Sequence, residues 1–209
     1  MLIADDSYPA LGDSELFKID LKRSSLVANP PNLAESGHFI GIGSSISQFQ
    51  STAGETHIVP SARITVYPNP GYNVWVNIAN WPGPAVSFDV GVGLQVEFNP
   101  ENPARRQALG LSWHEIYGDA YTQRDVSVHG LYGVSKNDLD FGAIVILDMH
   151  HVLVDNGKGI PDYDENFFIL MPYIGMMFME KMKIAAHLPY NSEGLGLVLN
   201  AEFQLGKRQ

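Results

Sequence analysis

Four residues suited to acid–base or metal chemistry lie on the less apolar faces of three consecutive strand-like segments. They are His114, His129, Asp148 and His150. In each segment apolar residues recur at every second position, so the polar side chains share the opposite face. Neighbouring strands lie about 4.8 Å apart, so the four side chains could cluster. The pattern is typical of a metal site or a His–Asp base pair, and equally of a polar filling of a narrow interior.

Further charged residues fall on the same face of other segments. Because Asp89, Glu97, Lys183 and Glu202 alternate with apolar neighbours, we expect them to project inward and to form ion pairs across strands. Arg105-Arg106 is expected in a link between segments, as a phosphate contact or as a solvated turn.

The elements that position these residues are strands. From Leu195 to Leu205 every odd position is apolar, and similar runs of about ten residues recur from Gly37 onward. Ten strands are predicted, with the eighth apolar on both faces and a bulge or an irregular patch at Pro60: 37–50, 56–67, 72–80, 85–98, 107–117, 124–135, 140–153, 166–178, 181–188 and 195–205. The pattern predicts an all-β fold, an antiparallel up-and-down β-barrel of about ten strands (range 8–12) over residues 36–209.

Alternation alone does not separate a membrane barrel from a soluble barrel or sandwich. The same pattern places the apolar face outward in a membrane barrel and inward in a soluble one. Three features favour a transmembrane barrel. The predicted inner face is rich in Gly and Ser, and the apolar runs match a bilayer crossing. Aromatic residues lie toward strand ends, as in an interfacial girdle: Tyr67, Tyr72, Trp81, Trp113, Tyr117, Tyr121, Tyr132 and Tyr173.

Composition excludes several classes of function. The 209 residues carry a net charge of −10, which argues against nucleic acid as a partner and against docking on an anionic leaflet. Cysteine is absent, so disulfides and thiolate metal sites are excluded.

No apolar run is long enough for a transmembrane helix. Residues Met1 to Asp6 lack the pattern of a secretory signal peptide. A transmembrane barrel would therefore imply a mature or re-engineered chain.

Residues 1–35 are predicted to form an N-terminal arm, extended or partly ordered. Phe17, Ile19 and Leu21 alternate with charged residues, which favours a short strand or a loosely held arm. A helix over Ser14 to Leu21 is the alternative. The arm could reach a protein partner, or add a strand to one.

On these patterns, residues 37–206 resemble the small bacterial outer-membrane β-barrel proteins. The resemblance implies residence in a bacterial outer membrane, lipid as the surrounding partner, and a structural or interaction role as an anchor or a subunit of a cell-envelope assembly. A narrow solute channel is one alternative. A lipid-modifying enzyme, similar to barrel-embedded lipid A hydrolases or acyltransferases, is another. No nucleophile–base set is visible, so no catalytic residue is assigned.

The loop from Asp155 to Glu165 looks like the aspartate-rich calcium loops of thrombospondin type 3 repeats. The resemblance rests on its Gly-Ile-Pro-Asp core followed by an acidic residue. It implies a weak Ca²⁺ site, the only cofactor considered, at four residues: Asn156, Asp162, Asp164 and Glu165. A polar external loop is the alternative.

Overall fold

A closed antiparallel β-barrel forms the body of the molecule. The computed structural model describes residues 14–26, 38–69, 71–80, 86–102, 104–118, 121–154, 162–178 and 181–207. Each strand pairs with the next along the chain, and the last pairs with the first, so the sheet has no free edge. The predicted antiparallel barrel of about ten strands is confirmed.

Ten wall strands make up the barrel in the described residues. The ninth and tenth are each interrupted near one end, so their parts carry separate labels. The elements are α1 (Ser14–Ser25), β1 (His38–Gln50), β2 (Thr56–Asn69), β3 (Tyr72–Ala79), β4 (Val86–Phe98), β5 (Arg105–Gly118), β6 (Tyr121–Lys136), β7 (Leu139–Val154), β8 (Tyr163–Phe178), β9 (Met182–His187), β10 (Tyr190–Asn191), β11 (Gly194–Leu195) and β12 (Leu197–Lys207).

The two ends of the barrel differ. The start of β1 pairs with the end of β12, His38 opposite Lys207, and we call this end the terminal end. The links β2–β3, β4–β5, β6–β7 and β8–β9 lie there. The opposite end, which we call the loop end, is the end at which β7 finishes and β8 begins.

The apolar face of the wall points outward. Ile46, Phe168 and Leu199 are 59%, 66% and 49% exposed, and Val92 and Ile78 lie on the same outer face. Polar residues between them are buried, for example Asn77 and Gln95. A barrel with an apolar exterior and a polar interior has the architecture of transmembrane barrels. The predicted outward orientation of the apolar residues is therefore confirmed.

The predicted aromatic girdle is only partly correct in the described residues, and Trp81 lies outside them. Tyr117 and Tyr132 lie on the exterior and are exposed, whereas Tyr67, Tyr121 and Tyr173 are buried inside the barrel. Sequence position near a strand end does not fix the face, because a shift of one residue moves a side chain from outside to inside.

Glycines on the inner face make room for large interior side chains. A Cβ at Gly93 would overlap the Trp75 ring, and one at Gly133 would overlap the Tyr173 hydroxyl. Trp75 is 0% exposed, so the indole is held in the space that Gly93 leaves. Alternating small and large inward residues thereby fill the barrel.

The bulge or irregular patch predicted at Pro60 is absent from the ladder with β1, so that prediction is wrong. The ladder between β1 and β2 runs without a break from Thr56 to Tyr67, with Ile46 opposite Pro60. The backbone N–H of Asn80 donates to the Pro60 carbonyl. The hydrogen-bonding side of the Pro60 backbone therefore faces β3, whose paired residues end at Ala79. Since β1 needs no donor from Pro60, its ladder is undisturbed.

The N-terminal arm contains a helix where a short strand was favoured, and that prediction is wrong. Phe17 and Leu21, four residues apart, lie on one face of α1 and are buried. The side chains bury into the mouth of the barrel at its loop end, with the Phe17 ring edge-on to Tyr121. Within the described residues, no helix is long and apolar enough to cross a membrane.

Candidate functional site

A buried cluster of histidines and carboxylates lies inside the barrel beneath α1. We call it the His–Asp cluster: Asp89, His114, Asp125, Asp148 and His150. Four adjacent strands, β4 to β7, supply these residues, and the ladders place His114 opposite Asp125 and Asp125 opposite His150. All five are between 0% and 3% exposed.

Asp125 is the centre of this cluster. His150 Nδ1 donates to Asp125 Oδ1 at 2.6 Å, and His114 Nε2 lies 2.7 Å from Asp125 Oδ2. Asp148 accepts from Ser127 Oγ at 2.5 Å. Sequence reasoning did not single out Asp125, although it has the same parity along β6 as the inward His129.

The predicted group of four does not stay together. His129 is also inward, but its Nε2 lies 3.1 Å from Gln95 Oε1 and its ring lies beside Trp75. His114, Asp148 and His150 come together with Asp89 and Asp125 instead. His129 lies two inward positions from Asp125 along β6, nearer the terminal end.

Two other polar networks fill the barrel near its terminal end. Arg106 binds Glu97 through both Nε and Nη2, at 3.0 and 2.7 Å, and its Nη1 lies 3.3 Å from Asp140. Lys183 Nζ donates to the same Asp140 carboxylate. Arg106 is 7% exposed in β5, so its expected place in a link between segments is wrong: the strand begins at Arg105, two residues before the predicted start at residue 107.

Glu202 anchors the second of these networks. Its carboxylate accepts from Thr65 Oγ1 at 3.0 Å and from Tyr67 at 2.8 Å. Lys183 is the cross-strand neighbour of Glu202 in the ladder, yet its ammonium group contacts Asp140. Asp89, Glu97, Lys183 and Glu202 all lie on the inner face, but Glu97 pairs with Arg106 and Lys183 with Asp140 rather than with one another.

Helix α1 covers the His–Asp cluster from the loop end. Ser25 Oγ lies 3.4 Å from Asp125 Oδ2, and Gln123 Nε2 donates to both Ser25 Oγ and Asp125 Oδ2. Arg23 Nε donates to the Glu193 carbonyl at 2.7 Å, and Asp20 accepts from Thr52 N at 2.7 Å. Side-chain and backbone hydrogen bonds thus hold the helix at the loop end of the barrel.

The residues of the predicted calcium loop are only partly described. Asn156 lies outside the described residues. Asp164 is exposed and accepts from His151 Nδ1 at 2.6 Å, whereas Glu165 pairs with Lys22 of α1 at 2.7 Å. Since these neighbours lie on opposite faces of β8, the two carboxylates bind separate partners, and a Ca²⁺ site here stays a prediction.

The catalytic alternative needs a nucleophile beside a base. Ser127, one of the serines nearest the imidazoles, donates to Asp148 rather than to a histidine in the described structure. The imidazoles of His114 and His150 are buried behind the wall and under α1. This arrangement positions polar groups against one another rather than toward a substrate.

No protein-family model matches the sequence, and no curated protein matches it significantly. Solved structures of similar architecture include the N-terminal β-barrel domain of OprF from Pseudomonas aeruginosa (8% identity, 82% of this chain and 100% of that chain, TM-score 0.40). Others are Neisserial surface protein A (10%, 81% and 97%, 0.41) and the translocator domain of the autotransporter NalP from Neisseria meningitidis (8%, 95% and 97%, 0.43).

Proposed function

We propose that this protein is a bacterial outer-membrane β-barrel with a structural or interaction role, a rigid anchor whose interior is closed by its own side chains and by α1. The apolar exterior supports a place in the bilayer, with acyl chains as its surroundings. The observation that carries the structural role is the burial of polar side chains at three levels of the interior, from the terminal end to the loop end.

The filling extends over three levels. Arg106 and its carboxylate partners occupy the terminal end, Trp75 and His129 the middle, and the His–Asp cluster the loop end under α1. Gln95 and Asn73 are 0% exposed, so even a water-sized solute does not touch these inward side chains. A barrel of about this strand number is narrow enough for side chains to fill it.

The same packing makes the channel alternative less well supported. Opening a path requires moving α1 and breaking the Arg106–Glu97–Asp140 network. Those groups would then need water or other partners, because unpaired buried charges are costly. The lipid-modifying alternative is also less well supported, because His114 and His150 are enclosed by the wall.

Conductance in planar bilayers tests the proposal. The full chain, shown to be inserted by protease protection, is expected to give flat traces. A variant lacking residues 14–26 is the comparison, because it removes the described part of the arm and leaves the wall networks in place. We expect it to stay flat as well, since the terminal-end networks still close the barrel. Stepwise ion currents through the full chain would overturn the structural role.

The enzyme alternative has its own readout. His114→Ala and His150→Ala variants are expressed in cells and the membrane lipids are compared by mass spectrometry. We expect unchanged lipid profiles. A lipid species that requires both imidazoles would replace the anchor proposal by a catalytic one.

A further inference from the structure

The His–Asp cluster gathers more negative charge than its own imidazoles balance. Three carboxylates, Asp89, Asp125 and Asp148, face two imidazoles, and all are buried. The electrostatic partners of the three carboxylates in the described residues are one another and the two histidines, with no lysine or arginine among them. Burying several carboxylates together is unfavourable unless a cation accompanies them.

Several atoms of this cluster have no hydrogen-bond partner in the described structure. Both carboxylate oxygens of Asp89 are buried and unpartnered, although Asp89 lies within electrostatic reach of His114 and Asp125. His150 Nε2 and His114 Nδ1 are also unpartnered. Buried polar atoms in proteins are almost always satisfied, so these atoms indicate a missing partner.

The spacing suits one metal ion. One potential ligand atom each from Asp125, Asp148 and His150 lies within 4.8 Å of the others. His150 Nδ1 lies 2.6 Å from Asp125 Oδ1, so an ion held by both residues would take the place of the proton between them. Imidazole nitrogen and carboxylate oxygen are both common ligands of Zn²⁺.

We propose that the His–Asp cluster binds one first-row divalent transition-metal ion of the Zn²⁺ type, with ligands from His150, Asp148 and Asp125 and with Asp89 and His114 beside it. The mixed imidazole and carboxylate donors favour such an ion over Ca²⁺, which takes six to eight oxygen ligands. The ion would join β6 and β7 inside the barrel, a structural role that goes beyond the anchor proposed above.

Zinc retention by the folded full chain is the test. Because α1 covers the cluster, the protein is refolded in detergent with Zn²⁺ or with a chelator, and unbound metal is removed by desalting. Elemental analysis is expected to find one Zn²⁺ per chain after refolding with zinc. We also expect a higher midpoint of urea unfolding than in the chelator-treated protein. A folded barrel that retains no stoichiometric zinc would overturn the proposal.

Matched variants locate the ion. His150→Gln and Asp148→Asn are expected to lower zinc affinity about tenfold or more. His129→Gln changes another buried histidine of the interior and should keep the wild-type affinity. Zinc that persists in a folded His150→Gln/Asp148→Asn double variant would show that the ion lies elsewhere and would refute the assignment.

X-ray absorption of the zinc-loaded wild type covers the case in which the variants fail to fold. The expected spectrum contains nitrogen and oxygen neighbours at about 2.0–2.2 Å and the outer-shell scattering of imidazole. A spectrum without imidazole scattering would exclude the His–Asp cluster as the site.

Discussion

At the scale of single residues, the interior depends on side chains that fit around inward glycines. Gly93 lies against the Trp75 ring, where an added methyl group has no room. Gly130 is also in mid-strand, but a Cβ there would meet its nearest neighbour, Leu109 Cδ2, at 3.6 Å, an ordinary contact.

Gly93→Ala should therefore lower the free energy of unfolding by about 1–3 kcal/mol through overpacking. Gly130→Ala is the matched control and should change it by less than about 0.5 kcal/mol. Urea titration in lipid vesicles, followed by circular dichroism, measures both. Equal midpoints for the two variants would contradict the packing described for Trp75.

Arg106 offers a second test at this scale. It is enclosed between Glu97 and Asp140, so Arg106→Met leaves two carboxylates with fewer partners and should cost about 3–5 kcal/mol. Arg124 pairs with Glu115 on the outer face, and its side chain is 50% exposed, so Arg124→Met should cost much less. The same urea titration compares them, and a smaller loss for Arg106→Met would argue against a buried charge network.

At the scale of elements, the strands were predicted directly, whereas the helix was predicted only as an alternative over Ser14 to Leu21. The period of two along β4 or β12 is set by burial on one face, which the sequence records directly. The segment Phe17-Ile19-Leu21 carries the same period, but Phe17 and Leu21 also lie four apart, and docking in the barrel mouth selects the helix. That choice depends on a tertiary contact that local pattern does not contain.

The candidate site was predictable in part for a similar reason. Parity placed His114, Asp148 and His150 inside, and the same parity places Asp125 inside. The position of a side chain along the barrel axis depends on the strand register. The register places His129 nearer the terminal end than His114 and Asp125. Arg106 was missed because the polar start of β5 has no apolar alternation.

The docking of α1 gives a prediction for an element. Phe17→Ala and Leu21→Ala remove the buried contacts of the helix, so amide hydrogen exchange over residues 14–26 should accelerate while β6 stays protected. Glu15→Ala is the control, because Glu15 is exposed and pairs with Lys18 on the surface. Unchanged exchange in the first two variants would show that α1 is not held by these side chains.

At the scale of the whole molecule, the wall separates two environments. Most large exposed side chains of the wall are apolar, and inward residues form polar networks. A bilayer is the environment in which that surface is stable. Trp113 and Trp75 report on the two sides at similar height, because Trp113 pairs with Val92 and Trp75 pairs with the adjacent Gly93.

Quenching of tryptophan fluorescence by lipids with brominated acyl chains tests this orientation most directly. Variants that keep Trp113 alone or Trp75 alone, with the other tryptophans changed to Phe, are refolded into vesicles. Strong quenching of Trp113 and weak quenching of Trp75 is the predicted result. Quenching of Trp75 by the brominated chains, with Trp113 reached by iodide from water, would contradict a membrane-spanning barrel with its apolar face toward lipid.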